Sequence, residues 1–454
     1  MSPSLATLIT LAGVLFLLRY ESGPRQELRP AIWLPLLWLG FTGSRFLSQW
    51  LDLGAGGGFN FDEGSPLDAA VFFVLMCAGA VVLVRRGVGV GDVVRANVWL
   101  VLFLAYGLMS VAWSDEPFIA LKRWVKVTGH PIMALVILSE PDPVASLRVL
   151  FKRLGYLLLP TSLLFIKYYP QYGRSFDPWA GTPLNIGVML TKNDLGYVSM
   201  VLGLFFVWNL LCARQAVGMP RRRREMVLSL GFIFLAVWLL ILADSKTSLA
   251  CLAAGSAVMI GLGTPLVSKR HFGIWVVVVG LLALWLESTF DLYHAALVLL
   301  GRNPTLTDRT IIWDTVLAMQ DRPWVGFGFE SFWLGSRLEK LWSIYWWRPT
   351  QAHNGYIEIY LHLGAVGVAL LLAVILSAFR KIARRLQQDF LLARLQMALL
   401  LAILMFNYTE AGFKGVHFIW TIFYLIAMAC PRPATARRPA TTARLHLASE
   451  RRMP

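Results

Sequence analysis

The sequence predicts an all-α polytopic membrane protein of about 12–13 transmembrane helices, and three observations carry that prediction. Of the 454 residues, 57% are hydrophobic and 15% are charged, where soluble domains sit near ~45–50% and ~25%. The apolar residues gather in blocks of roughly 15–22, the length a helix needs to cross the hydrocarbon core. The surplus of Lys and Arg, a net charge of +16, falls in short polar breaks between those blocks. That is the positive-inside pattern of cytoplasmic loops. A nucleic-acid partner, which the net charge alone would allow, is therefore excluded.

Along the chain, the first block, Ser4 to Leu18, has no basic leader and no small-residue cleavage site. It reads as a retained segment, not a signal peptide, and whether residues 4–20 span is left open. Further spans are expected near residues 31–50, 67–84, 96–113, 118–138, 154–170, 195–212, 226–243, 247–264, 272–290, 356–378, 393–408 and 416–430. Arg25 and Arg29, Arg85 and Arg86, Arg148 to Arg153, Arg221 to Arg224, Lys269 and Arg270, and Arg380 to Arg385 mark the cytoplasmic breaks. The break from Leu51 to Pro66 carries no basic residue and is expected on the other side. Cys77, Cys212, Cys251 and Cys430 lie in or beside apolar blocks without any CxxC spacing. They read as packing residues rather than a disulfide framework or a zinc site. Neither a fixed-period repeat nor the matched pair of broken helices common in transporters is visible.

The chain thus divides into N-terminal transmembrane helices (1–290), an outer catalytic loop (291–355), C-terminal transmembrane helices (356–430) and a basic tail (431–454). The tail is rich in Pro, Ala, Thr and Arg and is expected to be disordered on the cytoplasmic side. The loop is some 65 residues long, and loops beyond ~15 residues are usually functional. Alternation places it outside the cytoplasm, yet it carries Arg302, Arg309, Arg322, Arg337, Lys340 and Arg348. An anionic ligand would explain cations on the side where few are expected.

Within the loop, Thr307 or Asp308 can cap a helix in which Trp313, Val316 and Leu317 recur at helical spacing. Arg309 then stands in the first turn, where the helix dipole disfavours a cation. A phosphate there would meet free N–H groups and a guanidinium together; alternatively Arg309 pairs with Asp308, Asp314 or a neighbouring loop. The Trp- and Tyr-rich stretch from Leu341 to Trp347 fits either a membrane-interface belt or sugar stacking. Gly326-x-Gly328 alone does not make a nucleotide loop. His353, at the mouth of the following apolar helix, is of the residue type that takes a proton from an alcohol near neutral pH. Glu358 could orient it only if the backbone bends between them; a structural, hydrogen-bonded histidine is the plainer alternative.

Other cations stand at outer span ends: Lys122, Arg123 and Lys126 after the Ser114–Pro117 turn, Arg174 and Lys192 around a loop from Tyr168 to Asn193, and Lys246 in Asp244-Ser245-Lys246-Thr247-Ser248. Ionisable groups within a span cost roughly 2.5–3.5 kcal/mol at the helix centre. Snorkelling accounts for Lys122 and Lys126, but so many cations with few nearby acids suggest one anionic pocket. No convincing Asp-x-Asp pair or His–carboxylate cluster accompanies the outer loops, so neither a metal nor another cofactor is expected.

Taken as an ordered set, Arg309-x-x-x-Trp313, Pro323-x-x-Gly326-x-Gly328 and His353-Asn354-x-Tyr356 before Gly364-x-x-Gly367 resemble the O-antigen ligase/polymerase superfamily. Lys192-Asn193-x-Leu195-Gly196 and Asp244-Ser245-Lys246-Thr247-Ser248 are similar to its exopolysaccharide-polymerase branch. The resemblance covers roughly Tyr168 to Tyr424. It implies a GT-C-like fold in the bacterial inner membrane, with short helices in a large periplasmic loop and the active site facing the periplasm. It also implies a metal-independent inverting glycosyltransferase with an undecaprenyl-pyrophosphate-linked glycan as donor, a further glycan or lipid A core as acceptor, and surface polysaccharide (O-antigen or exopolysaccharide) as product. By position His353 matches the family's loop histidine and Arg309 its pyrophosphate arginine, both catalytic. Arg123, Arg174, Lys192, Asn193, Lys246 and Asn354 are the expected substrate-binding residues. Lys246 stands where ligases usually carry arginine, and lysine binds phosphate only as a point charge; Thr191 stands where the polymerase branch often has histidine. The rival readings are a lipid-linked oligosaccharide flippase or polysaccharide transporter, and a non-enzymatic scaffold that gives no reason to keep these cations.

Overall fold

A computed structural model of the protein describes residues 1–21, 30–51, 64–177, 181–214, 219–265, 267, 269 and 309–431. The expected span at 272–290, the loop residues 291–308 with Arg302 and the Thr307/Asp308 cap, most of the 51–66 break, Arg25, Arg29, Arg270 and the tail from 432 lie outside the described residues. What is described is α-helical apart from one two-stranded hairpin, in which Arg174–Phe176 pairs antiparallel with Pro183–Asn185.

Among the described residues, seven helices are long and apolar enough to cross a bilayer: Pro3–Tyr20, Pro66–Arg85, Pro143–Tyr168, Lys192–Ala213, Arg222–Leu242, Gly355–Arg385 and Phe390–Thr409. Burial sorts them. The apolar windows of Lys192–Ala213, Pro143–Tyr168 and Phe390–Thr409 are 83%, 72% and 67% buried, whereas those of Pro3–Tyr20, Pro66–Arg85 and Arg222–Leu242 are 11%, 22% and 28% buried. The first three therefore form the centre of the bundle and the others present apolar faces to lipid. Helix Phe418–Ala427, buried at all ten positions, packs against Gly129–Leu138, Gly355–Arg385 and Phe390–Thr409.

Several expected spans take other forms. The 96–113 span is bent by 101° at Asn97, between Val90–Ala96 and Val98–Trp113. The Asn97 amide holds the bend by donating to the carbonyls of Val93 and Ala429, both at 2.8 Å. The 118–138 span divides into Pro117–Val127 and Gly129–Leu138. Pro131 cannot donate to a preceding turn, and Gly129 lies so close to Trp38 that a Cβ would fall 2.1 Å from its ring. Lys122, Arg123 and Lys126 thus ride on an 11-residue helix, too short to span. The 31–50 span is the ten-residue helix Trp33–Thr42 followed by the turn Leu47–Trp50. Apolar content alone does not separate a lipid-facing span from a short helix buried by its neighbours.

The Gly355–Arg385 helix is two helical pieces broken at Gly364, which has φ 63° and ψ −165°. The Pro323–Gly328 turn is stitched into that break. Phe327 and Gly328 donate to the carbonyls of Leu361 (3.1 Å) and His362 (2.9 Å), while Ala365 and Val366 donate to those of Pro323 (2.8 Å) and Trp324 (3.2 Å). The groups that an interrupted helix leaves unpaired are satisfied by this turn. The approach requires glycine on both sides: a Cβ on Gly326 would lie 2.4 Å from the His362 carbonyl carbon, and one on Gly364 would lie 2.3 Å from that of Trp324. The outer segment 309–353 also has a core of its own, with Val316, Phe332, Leu338 and Leu341 all buried. Tyr345 belongs to that core, while Trp346 is exposed.

Candidate active site

Glu410 is the hub of the site. It follows directly on the Phe390–Thr409 helix, and its turn is folded by Asn407, whose Oδ1 accepts from the backbone N–H of Gly412 and Phe413, both at 2.9 Å. Three residues expected from sequence converge on its carboxylate. Arg309, the first residue of the Arg309–Ala318 helix, donates from Nη2 to Oε1 at 2.6 Å and from Nη1 to the Thr409 carbonyl. Asn193, in the first turn of the Lys192–Ala213 helix, donates from Nδ2 to the same Oε1 at 2.8 Å. His353 places Nδ1 3.2 Å from Oε2. The Arg309 and Glu410 side chains are only 13% and 10% exposed, but that of His353 is 30% exposed. The histidine is the member that faces outward.

Local sequence explains the placement. His353 adopts φ 51°, a left-handed conformation that a side chain occupies only when its surroundings impose it. The constraints sit on either side. Ala352 N–H donates to Glu358 Oε1 at 2.5 Å, and Asn354 caps the next helix by accepting from Tyr356 and Ile357 N–H at 2.9 and 3.1 Å. The Asn354 amide donates to the Tyr408 carbonyl at 2.9 Å, and Gly355 N–H donates to the Glu410 carbonyl at 3.1 Å. Asn354, expected to bind substrate, is thus committed at both ends of its amide to holding the backbone. Glu358, weighed as the orienting acid of His353, instead accepts from Trp333 Nε1 at 2.8 Å and lies 3.3 Å from His362 Nε2. It braces the backbone beside the histidine; the acid on the imidazole is Glu410.

Burial pushes the Glu410 carboxyl up, but the hydrogen bond with His353 and the charges of Arg309 and His353 outweigh it and hold the group below the usual carboxylate range. Lys414 donates to Gln351 Oε1, and the Gln351 amide nitrogen lies 3.3 Å from His353 Nδ1. The cluster therefore joins two cations, Arg309 and Lys414, and one buried carboxylate around an imidazole.

The other expected residues fall around it. The motifs carrying Asn193 and Lys246 pack against each other: a Cβ on Gly196 would lie 2.3 Å from Ser245 Oγ. Thr247, next to Lys246, has its hydroxyl 3.3 Å from that of Thr409. Lys192 immediately precedes Asn193. Arg123 donates to the Glu330 carbonyl at 2.6 Å, and the Glu330 carboxylate accepts from Gly415 N–H, one residue from Lys414. Arg174 turns to the Ile166 carbonyl at 3.1 Å and is not brought to Glu410. Part of the outer cation surplus is internally matched, since Arg322 and Arg337 both pair with Asp115. Sequence reasoning missed Glu410 and Lys414. The signal was an acid at the end of an apolar span in a chain where outer acids are scarce.

A family model described as O-antigen ligase matches residues 230–372, which include Arg309 and His353 and stop short of Glu410. Among curated proteins, the chain is 27% identical over 305 residues to the exopolysaccharide production protein ExoQ of Rhizobium meliloti (strain 1021). The alignment covers 64% of this chain and 66% of that protein, just under two thirds of the relative's length. Both findings bear out the resemblance that the ordered motifs carry.

Proposed function

We propose that this O-antigen ligase/polymerase-like membrane protein is a glycosyltransferase that transfers or polymerises undecaprenyl-pyrophosphate-linked glycans at the periplasmic face, for surface polysaccharide. The observation that carries the reading is the convergence of Arg309, Asn193 and an outward-facing His353 on one buried carboxylate. Glu410 acts as the orienting acid: it accepts a proton-bearing Nδ1 of His353 and leaves Nε2 as the acceptor for a sugar hydroxyl. The hydroxyl oxygen attacks the anomeric carbon, its proton passes to Nε2, and the bond to the pyrophosphate oxygen breaks with inversion. Negative charge growing on the leaving pyrophosphate is met by fixed cations, the role a metal plays elsewhere. Arg309 has its two terminal nitrogens on Glu410 and Thr409, so its direct part is to fix Glu410 and keep the site positive. Lys246, Lys192, Arg123 and Lys414 are the cations for the pyrophosphate, with Arg174 on the outer hairpin at greater remove. The ExoQ likeness and the lysine-bearing motifs favour a polymerase, with another glycan repeat as acceptor, over ligation to lipid A core.

The test is complementation of a strain lacking the gene with wild type or His353→Ala at matched membrane levels. Transfer is expected to fall ~10²–10⁴-fold, the contribution of a general base, with single lipid-linked repeats accumulating. Accumulation of long lipid-linked chains that never reach lipid A makes the protein a ligase. Wild-type polysaccharide from the variant removes His353 from the chemistry and puts the flippase or transporter reading in its place.

A further inference from the structure

The bundle carries a second cluster of cations at the end opposite Glu410. Arg394 lies 16 residues before Glu410, on the helix that Glu410 follows, about 24 Å away at 1.5 Å per residue. It is 4% exposed, yet among the described residues its Nε and Nη2 have no hydrogen-bond partner. A buried guanidinium is costly when its donors are unmet, and this one lies in the first turns of a helix, where the dipole adds a further penalty. Its neighbourhood offers it aromatic faces. Phe390 lies 5.4 Å away, with Lys269 on the same ring at 3.9 Å.

Arg148 completes the arrangement. Its Nε is likewise unpartnered and buried, its guanidinium stacks over Trp208 at 5.0 Å, and the Cys212 thiol touches it while lying within electrostatic reach of Arg394. Among the described residues the nearby carboxylates make their hydrogen bonds elsewhere: Glu225, within electrostatic reach of Arg148, is held by Lys152 at 2.7 Å and by Asn209 at 3.1 Å, and Asp389 caps the Phe390–Thr409 helix at Leu392 N–H (3.4 Å). Two arginines from different helices thus share one thiol neighbour, with unmet donors and a lysine at the rim.

We propose that Arg394 and Arg148, with Lys269 at the rim, form a phosphate-binding site at the basic membrane face, taking the headgroup phosphate of an anionic phospholipid. Guanidinium donors match phosphate oxygens in number and geometry. Arg394 is the fifth residue of Phe390–Thr409 and Arg148 the sixth of Pro143–Tyr168, so both stand near helix ends, level with a phosphate at headgroup depth. The inference does not depend on the reaction proposed for the opposite face.

The full-length protein, purified and stripped of lipid in a neutral detergent, is melted with added dioleoylphosphatidylglycerol, dioleoylphosphatidylcholine or inorganic phosphate. Phosphatidylglycerol is expected to raise the melting temperature by several degrees more than phosphatidylcholine and to remain bound in native mass spectra. Arg394→Gln and Arg148→Gln should each remove that difference; if the buried Arg394 variant fails to fold, the Arg148 variant gives the reading. A shift reproduced by inorganic phosphate keeps the site and makes a free phosphate its ligand. Equal shifts from the two lipids, or a phosphatidylglycerol effect undiminished in Arg148→Gln, overturn the proposal.

Discussion

Glu410 is a buried carboxylate whose three partners come from three distant parts of the chain. Removing its charge while keeping its shape therefore separates orientation from packing. Glu410→Gln should lower transfer on the order of 10²-fold or more, since an amide cannot fix the imidazole tautomer, while membrane insertion is retained. The same group makes a prediction about pH. Its carboxyl is held below the usual range, so it contributes stability that is present above the unfolded carboxylate value, ~4.3, and is lost as pH falls through its lowered native value. In detergent, the melting-temperature advantage of wild type over Glu410→Gln should be largest near pH 7 and shrink below pH ~4.5. An advantage that grows on acidification would contradict the assignment. His353 and Arg309 were legible in the sequence because a histidine and a phosphate-type arginine sat in a long polar loop. Glu410 was not, because the turn that brings it there depends on Asn407 bonding two N–H groups beyond the helix end, a contact with no periodicity to read.

At the scale of elements, Gly326 and Gly364 hold the outer turn in the broken helix. Either substituted by alanine meets positive φ and backbone atoms 2.4 and 2.3 Å away. The conformation alone costs roughly 1–3 kcal/mol. Both variants should lose folded yield and melt several degrees lower, whereas Gly335→Ala, at φ 58° but with open space around it, should cost markedly less; equal losses at all three sites would deny the stitched break. Sequence reading registered these glycines as a motif but not their purpose, because the pairing joins residues 34 and 42 positions apart. It also read the 118–138 block as one crossing. The apolar tally there was right, but Gly129 and Pro131 divide it, leaving Lys122, Arg123 and Lys126 on a separate short helix.

For the whole molecule, the alternation of basic breaks and apolar blocks gives the polytopic class correctly, and it also gives a side for each end of the bundle. With Cys77, Cys212, Cys251 and Cys430 replaced by serine, a cysteine at Arg348 should react in intact cells with a membrane-impermeant maleimide. One at Arg384 should react only after the cells are opened. The reverse pattern would invert the site and remove the periplasmic reading. Where composition overreached was in equating every apolar block with a crossing. The ten-residue helices Trp33–Thr42 and Phe418–Ala427 are as apolar as spans but too short to cross; the first is half buried with Trp33 and Leu37 exposed, and the second is enclosed by the bundle's own side chains.

The stitched helix break also fixes a clock for the outer segment. A covering flap on a simple tether would open on the nanosecond-to-microsecond scale of loops, and its amide protons would trade with solvent quickly. Here the Phe327 and Gly328 amides are spent on the Leu361 and His362 carbonyls inside the bundle, so they can exchange only when that part of the bundle itself comes apart. In deuterated buffer they should retain protium about as long as the amides of the central Lys192–Ala213 helix, and far longer than those at the exposed Trp346. The segment bearing His353 then behaves as masonry, and under the proposed function a glycan would arrive at a doorway that is already standing open.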